Sequence, residues 1–225
     1  MDQRFLKVVV EKRAYTSMKE LVDTLRSDPV PGKHTNLIVT NMGITSLAFN
    51  ESYFLQPLIE LGAGEKVIKT VHKSLDASLS IQNKMIKKAF SNYGEKELLH
   101  ISTIMEDRLP VFDGKDYYFQ IPISSSLASS SDQLVEKLRE NPEKGMFNDE
   151  LVKYSSDGLK AILEYEMLQP LADMKAKFLV VKIVEWATKL WMKMNAFETK
   201  RIVSKMSSSQ LTTYASLIER SLVSN

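Results

Sequence analysis

The chain has 225 residues, of which 44% are hydrophobic and 26% charged, with no cysteine and a formal net charge of +2. That length buries roughly 70% or more of the unfolded surface, enough for one large domain or two small ones, so stability needs neither metal nor cross-link. The missing thiol excludes disulfides, cysteine nucleophiles, iron–sulfur clusters and the common structural zinc sites, and a charge near zero means that polyanion binding must come from uneven placement of charge.

The opening MDQRFLKVVVEKRAY sets charges on both sides of a very short apolar run, which is not the pattern of a secretory signal. In the most apolar region the longest uninterrupted run, Phe178 to Val181, has four residues, far short of a bilayer span. The expectation is a soluble, intracellular, cytoplasmic protein with no membrane partner.

Phe5 to Lys12 is rich in β-branched residues and reads as a strand. Ser17 and Glu20 have capping-box spacing and open a helix to about Arg26, which DPVPG at 28–32 ends. Asn36 to Asn41 reads as a second strand, and Asn50 caps a helix toward Leu61 that Pro57 weakens. Gly62 and Gly64 stop it before a long helix from Lys66 to Phe90, which the SNYG run at 91–94 ends. A further helix covers Glu95 to about Met105. Between Leu109 and Ile123, Asp113-Gly114 supplies the positive φ angles of a tight hairpin between two apolar-aromatic strands. Ser124 to Ser131 is a low-complexity stretch that reads as a linker, and everything after it reads as helical. Those helices span Asp132 to Glu140, Asp149 to Tyr154, Asp157 to Gln169, Leu171 to Phe197, Thr199 to Met206 and Gln210 to Leu222.

The fold class is therefore mainly α with a minor β component. Residues 1–123 form a mixed α/β part carrying the long basic helix 65–90, and residues 132–225 form a helical part joined through 124–131; the two parts can share one core. No internal repeat with a period of 20 to 50 residues is visible, which argues against solenoids and propellers.

Two helices carry the functional signal. At about 100° per residue, Lys66, Lys69, Lys73, Lys84, Lys87 and Lys88 fall within an arc of about 100°. Val67, Ile68, Val71, Leu75, Met85, Ile86 and Ala89 lie on the opposite side. An ordinary exposed helix mixes glutamates with its lysines, yet this arc holds only Asp76. The row is about 33 Å long at 1.5 Å per residue, enough to track several phosphates, although taken alone it is explained more simply as a solvated exterior, since charge runs usually face water.

From Leu171 to Phe197 the chain is apolar around much of the helical circumference, yet Lys175, Lys182, Lys189 and Lys193 fall in one stripe with Trp186. Trp191 lies opposite, among Val180, Val184 and Ala187, and is expected in the core. A ring among cationic side chains suits single-stranded nucleic acid, with bases stacking on the ring and amines meeting phosphates. Taken alone, Trp186 is explained better by packing against a neighbouring helix while the lysine stems pass it. Lys175 to Lys205 holds eight basic and two acidic residues, whereas Asp132 to Asp157 holds seven acidic and four basic, an asymmetry that supports head-to-tail association of copies. The final two helices, joined by Ser207 to Ser209, resemble a helix-turn-helix only superficially, because the serines read as an N-cap.

Catalysis has little support. His34, His72 and His100 stand alone apart from the His72–Asp76 pair, one helical turn apart, and GAGEK at 62–66 lacks the phosphate-loop pattern. Asp107 with Asp113-Gly-Lys115 matches the acidic and lysine set of a metal-dependent nuclease on a hairpin, but a turn accounts for the same residues. No catalytic residue, metal ligand or cofactor is assigned. The expectation is a non-catalytic, self-associating, homo-oligomeric protein that binds single-stranded RNA or DNA in the manner of a nucleocapsid. Contacts come from Lys66, Lys69, Lys73, Lys84, Lys87, Lys88, Lys182, Trp186, Lys189 and Lys193, the two lysine faces lining one trough. An alternative is a helical scaffold or adaptor that binds an acidic protein; a third reading is the metal-dependent nuclease.

Overall fold

The computed structural model describes residues 3–90, 93–143, 145–173 and 178–224. The chain is mainly α with a small antiparallel sheet, as its composition and periodicity suggest. Its elements run β1 (Arg4–Val10), α1 (Lys12–Ser27), α2 (Thr35–Asn50), α3 (Gln56–Glu60), α4 (Glu65–Phe90), α5 (Glu95–Glu106), β2 (Val111–Phe112) and β3 (Tyr117–Pro122). Then follow α6 (Ser125–Glu140), α7 (Asn148–Leu163), α8 (Gln169–Asp173), α9 (Phe178–Val203), α10 (Ser208–Ser221) and β4 (Leu222–Ser224).

The second series repeats the first. Each helix start is displaced by 113 residues, from Lys12 to Ser125, Thr35 to Asn148, Gln56 to Gln169, Glu65 to Phe178 and Glu95 to Ser208. The element lengths follow suit: α1, α2, α6 and α7 have 16 residues each, and α4 and α9 have 26 each. Helix pairing is preserved as well, with α1 on α2 and α5, and α2 on α4, in one series, and α6 on α7 and α10, and α7 on α9, in the other. So is a specific ion pair: Arg26 bonds Glu106, and Arg139 bonds Glu219 at 2.5 Å. The Arg26 guanidinium holds the Glu106 carboxyl below the usual carboxylate range, chiefly by hydrogen bonding. Two units result, one formed by Val8–Gln120 and the other by Met1–Lys7 with Ile121–Asn225.

The recurrence is chemical too. The segment Glu51-Ser-Tyr-Phe-Leu-Gln-Pro-Leu58 returns as Glu164-Tyr-Glu-Met-Leu-Gln-Pro-Leu171. In each, the chain widens into a π-helical turn, Glu51–Leu55 or Glu164–Leu168, just before the proline. Pro57 and Pro170 have no N–H to donate, and a wider turn absorbs the interruption without ending the helical path. The cores match position for position: Leu21 and Leu134, Val22 and Val135, Leu25 and Leu138, and Leu98 and Leu211 are all buried.

In the Val8–Gln120 unit, Ser17 is a buried mid-helix hydroxyl bonded to Asn41 rather than the cap that its spacing suggests. Asn36 to Asn41 is helical, within α2, and not a strand, because the apolar residues continue to Phe49 and wrap the whole helix. Gly62 adopts φ +68 and closes the α3 end, its N–H bonding Ile59 O and the Ala63 N–H bonding Leu58 O, both at 2.9 Å. The expected hairpin is present, with Val111 opposite Tyr118 and Phe112 opposite Tyr117. Its loop is longer than two residues: Asp113 Oδ1 accepts the Lys115 and Asp116 N–H groups at 3.0 and 2.9 Å, while Gly114 takes φ +95. Tyr117 stacks on Tyr15 of α1 with centroids 4.9 Å apart, which seats the hairpin against that helix.

In the other unit, the serine-rich stretch expected as a linker is the first half of α6. Ser124 caps it, accepting the Leu127 N–H at 3.2 Å, and Ser130 and Ser131 turn their hydroxyls back onto Leu127 O. The two helices expected at 149–154 and 157–169 are one, α7. Ser207 caps α10 in a capping box with Gln210, in line with the sequence. Tyr154 donates to or accepts from Ser221 at 3.2 Å and meets Tyr214 edge-on; burial pushes both phenols up. β4 pairs with β1, Leu222 opposite Leu6.

Candidate nucleic-acid interface

A row of like charges points outward only if the opposite face of its helix is held inward. On α4, Ile86 and Phe90 are buried, and Gln82 accepts the Ser46 hydroxyl of α2 at 2.8 Å. On α9, Val184 is buried, and Asn195 and Thr199 meet Ser155 of α7 at 3.1 Å each. Gln82 and Asn195 are equivalent positions in the two series, so each long helix is pinned in rotation by a polar contact of the same kind.

That rotation leaves Lys66, Lys69, Lys73, Lys84, Lys87 and Lys88 all exposed on α4. Val67, Ile68, Val71 and Leu75, expected inward, are half-buried. The Met85 and Ala89 side chains, also expected inward, lie outside the described residues. Near the end of the row, Lys84, Lys87 and Lys88 meet Lys33 of the α1–α2 turn around an open depression of about 610 Å³, with Gly32, Thr35 and Asn36 completing the lining. Lys33 reaches Asp28 at 2.5 Å, as does His34 at 3.0 Å, and the Lys33 hydrogen bond holds the Asp28 carboxyl below its usual range. Lys33 could not be found from helical periodicity, since it sits on a turn.

On α9, Lys182, Lys189 and Lys193 are exposed, and Trp186 is 61% exposed. The ring is not packed under a neighbouring helix, the arrangement that explained this residue best in isolation. Trp191, expected in the core, is half-buried. Lys175 and the side chains of Val180 and Ala187 lie outside the described residues. Phe197, 68% exposed, is the residue that sequence reasoning overlooked. At about 100° and 1.5 Å per residue it stands about 20° from Trp186 and about 16 Å farther along, with Lys189 and Lys193 between them. The signal was present in the spacing, but the residue lay at the end of the expected helix. Lys182 is ion-paired with Glu185 at 3.0 Å on the surface, where such a pair contributes little.

The α4 lysines belong to the Val8–Gln120 unit and the α9 residues to the other. Asp113, the centre of the nuclease reading, is engaged by two backbone N–H groups at the hairpin tip. Among the described residues no group of three or more His, Asp or Glu could hold a metal ion, and no helix is long and apolar enough to cross a membrane. No protein-family model matches this chain, and no curated protein or solved structure matches it.

Proposed function

We propose that this protein binds single-stranded nucleic acid without acting on it chemically, and that copies of it associate as they do so. The observation that carries the reading is the outward face of α9. There, two exposed aromatic rings, Trp186 and Phe197, alternate with exposed lysines on one stripe. Bases stack on exposed rings at roughly 1 to 3 kcal/mol each while amines meet the phosphates between them. The lysine row of α4 supplies further phosphate contacts through Lys66, Lys69, Lys73, Lys84, Lys87 and Lys88.

Self-association is favoured by charge. The unit opposite in sequence to the lysine depression carries a depression of about 470 Å³ lined by Asp132, Glu136, Glu140 and Glu219 with Arg4 and Arg139. A basic surface of one copy meeting an acidic surface of the next gives head-to-tail contact.

Anisotropy of a labelled thymidine 20-mer, titrated across salt concentrations, tests the reading. With about five phosphates engaged, the log–log slope is about −3.5, and Lys182→Ala, Lys189→Ala and Lys193→Ala together flatten it by about 2. A strand that fails to bind at low salt while an acidic protein does would return the adaptor reading instead.

A further inference from the structure

The two series of helices differ in charge around the start of their second helix. Around the depression at the start of α2 stand Lys33, Lys84, Lys87 and Lys88. The corresponding positions of the second series, 113 residues on, are Met146, Phe197, Lys200 and Arg201. The first turn of α7 carries Asp149 and Glu150, whereas that of α2 has no acidic residue, Asn36 and Leu37 standing at those positions. The same scaffold therefore holds four ammonium groups, one of them paired with Asp28, beside a first helical turn without acidic residues in one series, and two cations beside an acidic first turn in the other.

We propose that the depression lined by Lys33, Lys84, Lys87 and Lys88 is a binding site for a compact polyphosphate group, either the 5′ end of a strand or a free polyphosphate. The inference deepens the strand-binding reading, since α4 belongs to it, but makes no use of α9. A phosphodiester brings one negative charge to such a concave cluster, whereas a triphosphate brings three or four within the same few ångströms. Asp28 offsets Lys33 and His34 with a single carboxylate and does not line the depression. Asn36, lining the wall in the first turn of α2, adds an amide, and α2 has no side-chain cap at its start, so its first N–H groups supplement the lysines.

Calorimetric titration of the full chain with inorganic tripolyphosphate tests the site. Saturable binding is expected, weakened about tenfold by Lys33→Ala with Lys84→Ala, and unchanged by Lys96→Ala with Lys115→Ala, two exposed lysines of the same unit that do not line the depression. All four residues are exposed, so the variants keep the fold, which melting curves verify. No saturable binding, or equal weakening by both pairs, overturns the proposal in favour of diffuse attraction to exposed lysines. A 20-mer with a 5′-triphosphate that binds more tightly than its 5′-hydroxyl counterpart identifies a strand end as the natural source; equal affinities identify a free polyphosphate. Tripolyphosphate binding with no binding of either strand leaves this site standing and removes the strand-binding reading alone.

Discussion

Replacing Trp186 and Phe197 together with alanine lowers affinity for a single strand by about a hundredfold or more. Each ring stands to lose roughly 1 to 3 kcal/mol of stacking, and 1.4 kcal/mol is a factor of ten. Because the side chains are 61% and 68% exposed, neither contributes much to the core, and the melting temperature stays close to that of the parent chain. The loss is separable from charge: the salt dependence of the remaining binding keeps its slope, since the number of neutralised phosphates is unchanged. Equal affinities for parent and double variant, or a large drop in melting temperature, would assign the rings a structural role.

The second large effect lies in the core. Leu25 and Leu138 occupy equivalent positions in α1 and α6, each is fully buried, and each precedes the arginine of the duplicated ion pair. Truncating either to alanine costs about 2 to 5 kcal/mol, since lost transfer energy is compounded by a cavity that helices pinned on two neighbours cannot close. Urea unfolding measures the cost. Two similar values are expected, because the duplicated series buries the same side chain against the same pair of neighbouring helices. A cost below about 1 kcal/mol at one position would mean that its series is not packed like the other.

How much of this was legible depended on which physical signal each segment carried. α4 declared itself because its lysines and its aliphatic residues separate cleanly at helical period, and the hairpin did so through Asp113-Gly114 between aromatic runs. Asn36 to Asn41 misled because a helix apolar on all sides has no periodicity to set against its β-branched residues. The serines of 124–131 misled through composition: the feature that decides the matter, hydroxyls turned back onto Leu127 O with Ser124 as cap, belongs to geometry. The duplication escaped because its period of 113 residues exceeds that of any solenoid and most exposed positions have diverged. Its trace survives where packing or backbone chemistry tolerates little change, as in Leu-Gln-Pro-Leu at 55–58 and 168–171, and Leu-Val followed by Leu-Arg at 21–26 and 134–139. At the interface, the lysines could be read from spacing. The exposure of Trp186 could not, because α9 is apolar nearly all round and only its contact with α7 selects the outward face.

The divergence between the series follows the same division. Buried positions kept their character, while the exposed ends of the long helices became lysine-rich in one copy and aromatic with lysine in the other. Duplication thus supplies a scaffold whose stability is already secured, on which surface changes cost little.

The most direct test uses the emission of Trp186 itself. In a Trp191→Phe chain Trp186 is the sole tryptophan, and a base stacked on its ring quenches it. Titration with an unlabelled thymidine 20-mer is expected to give saturable quenching at the same midpoint as the anisotropy signal. A strand that binds by anisotropy while the emission stays constant, or that does not bind at low salt, contradicts the account.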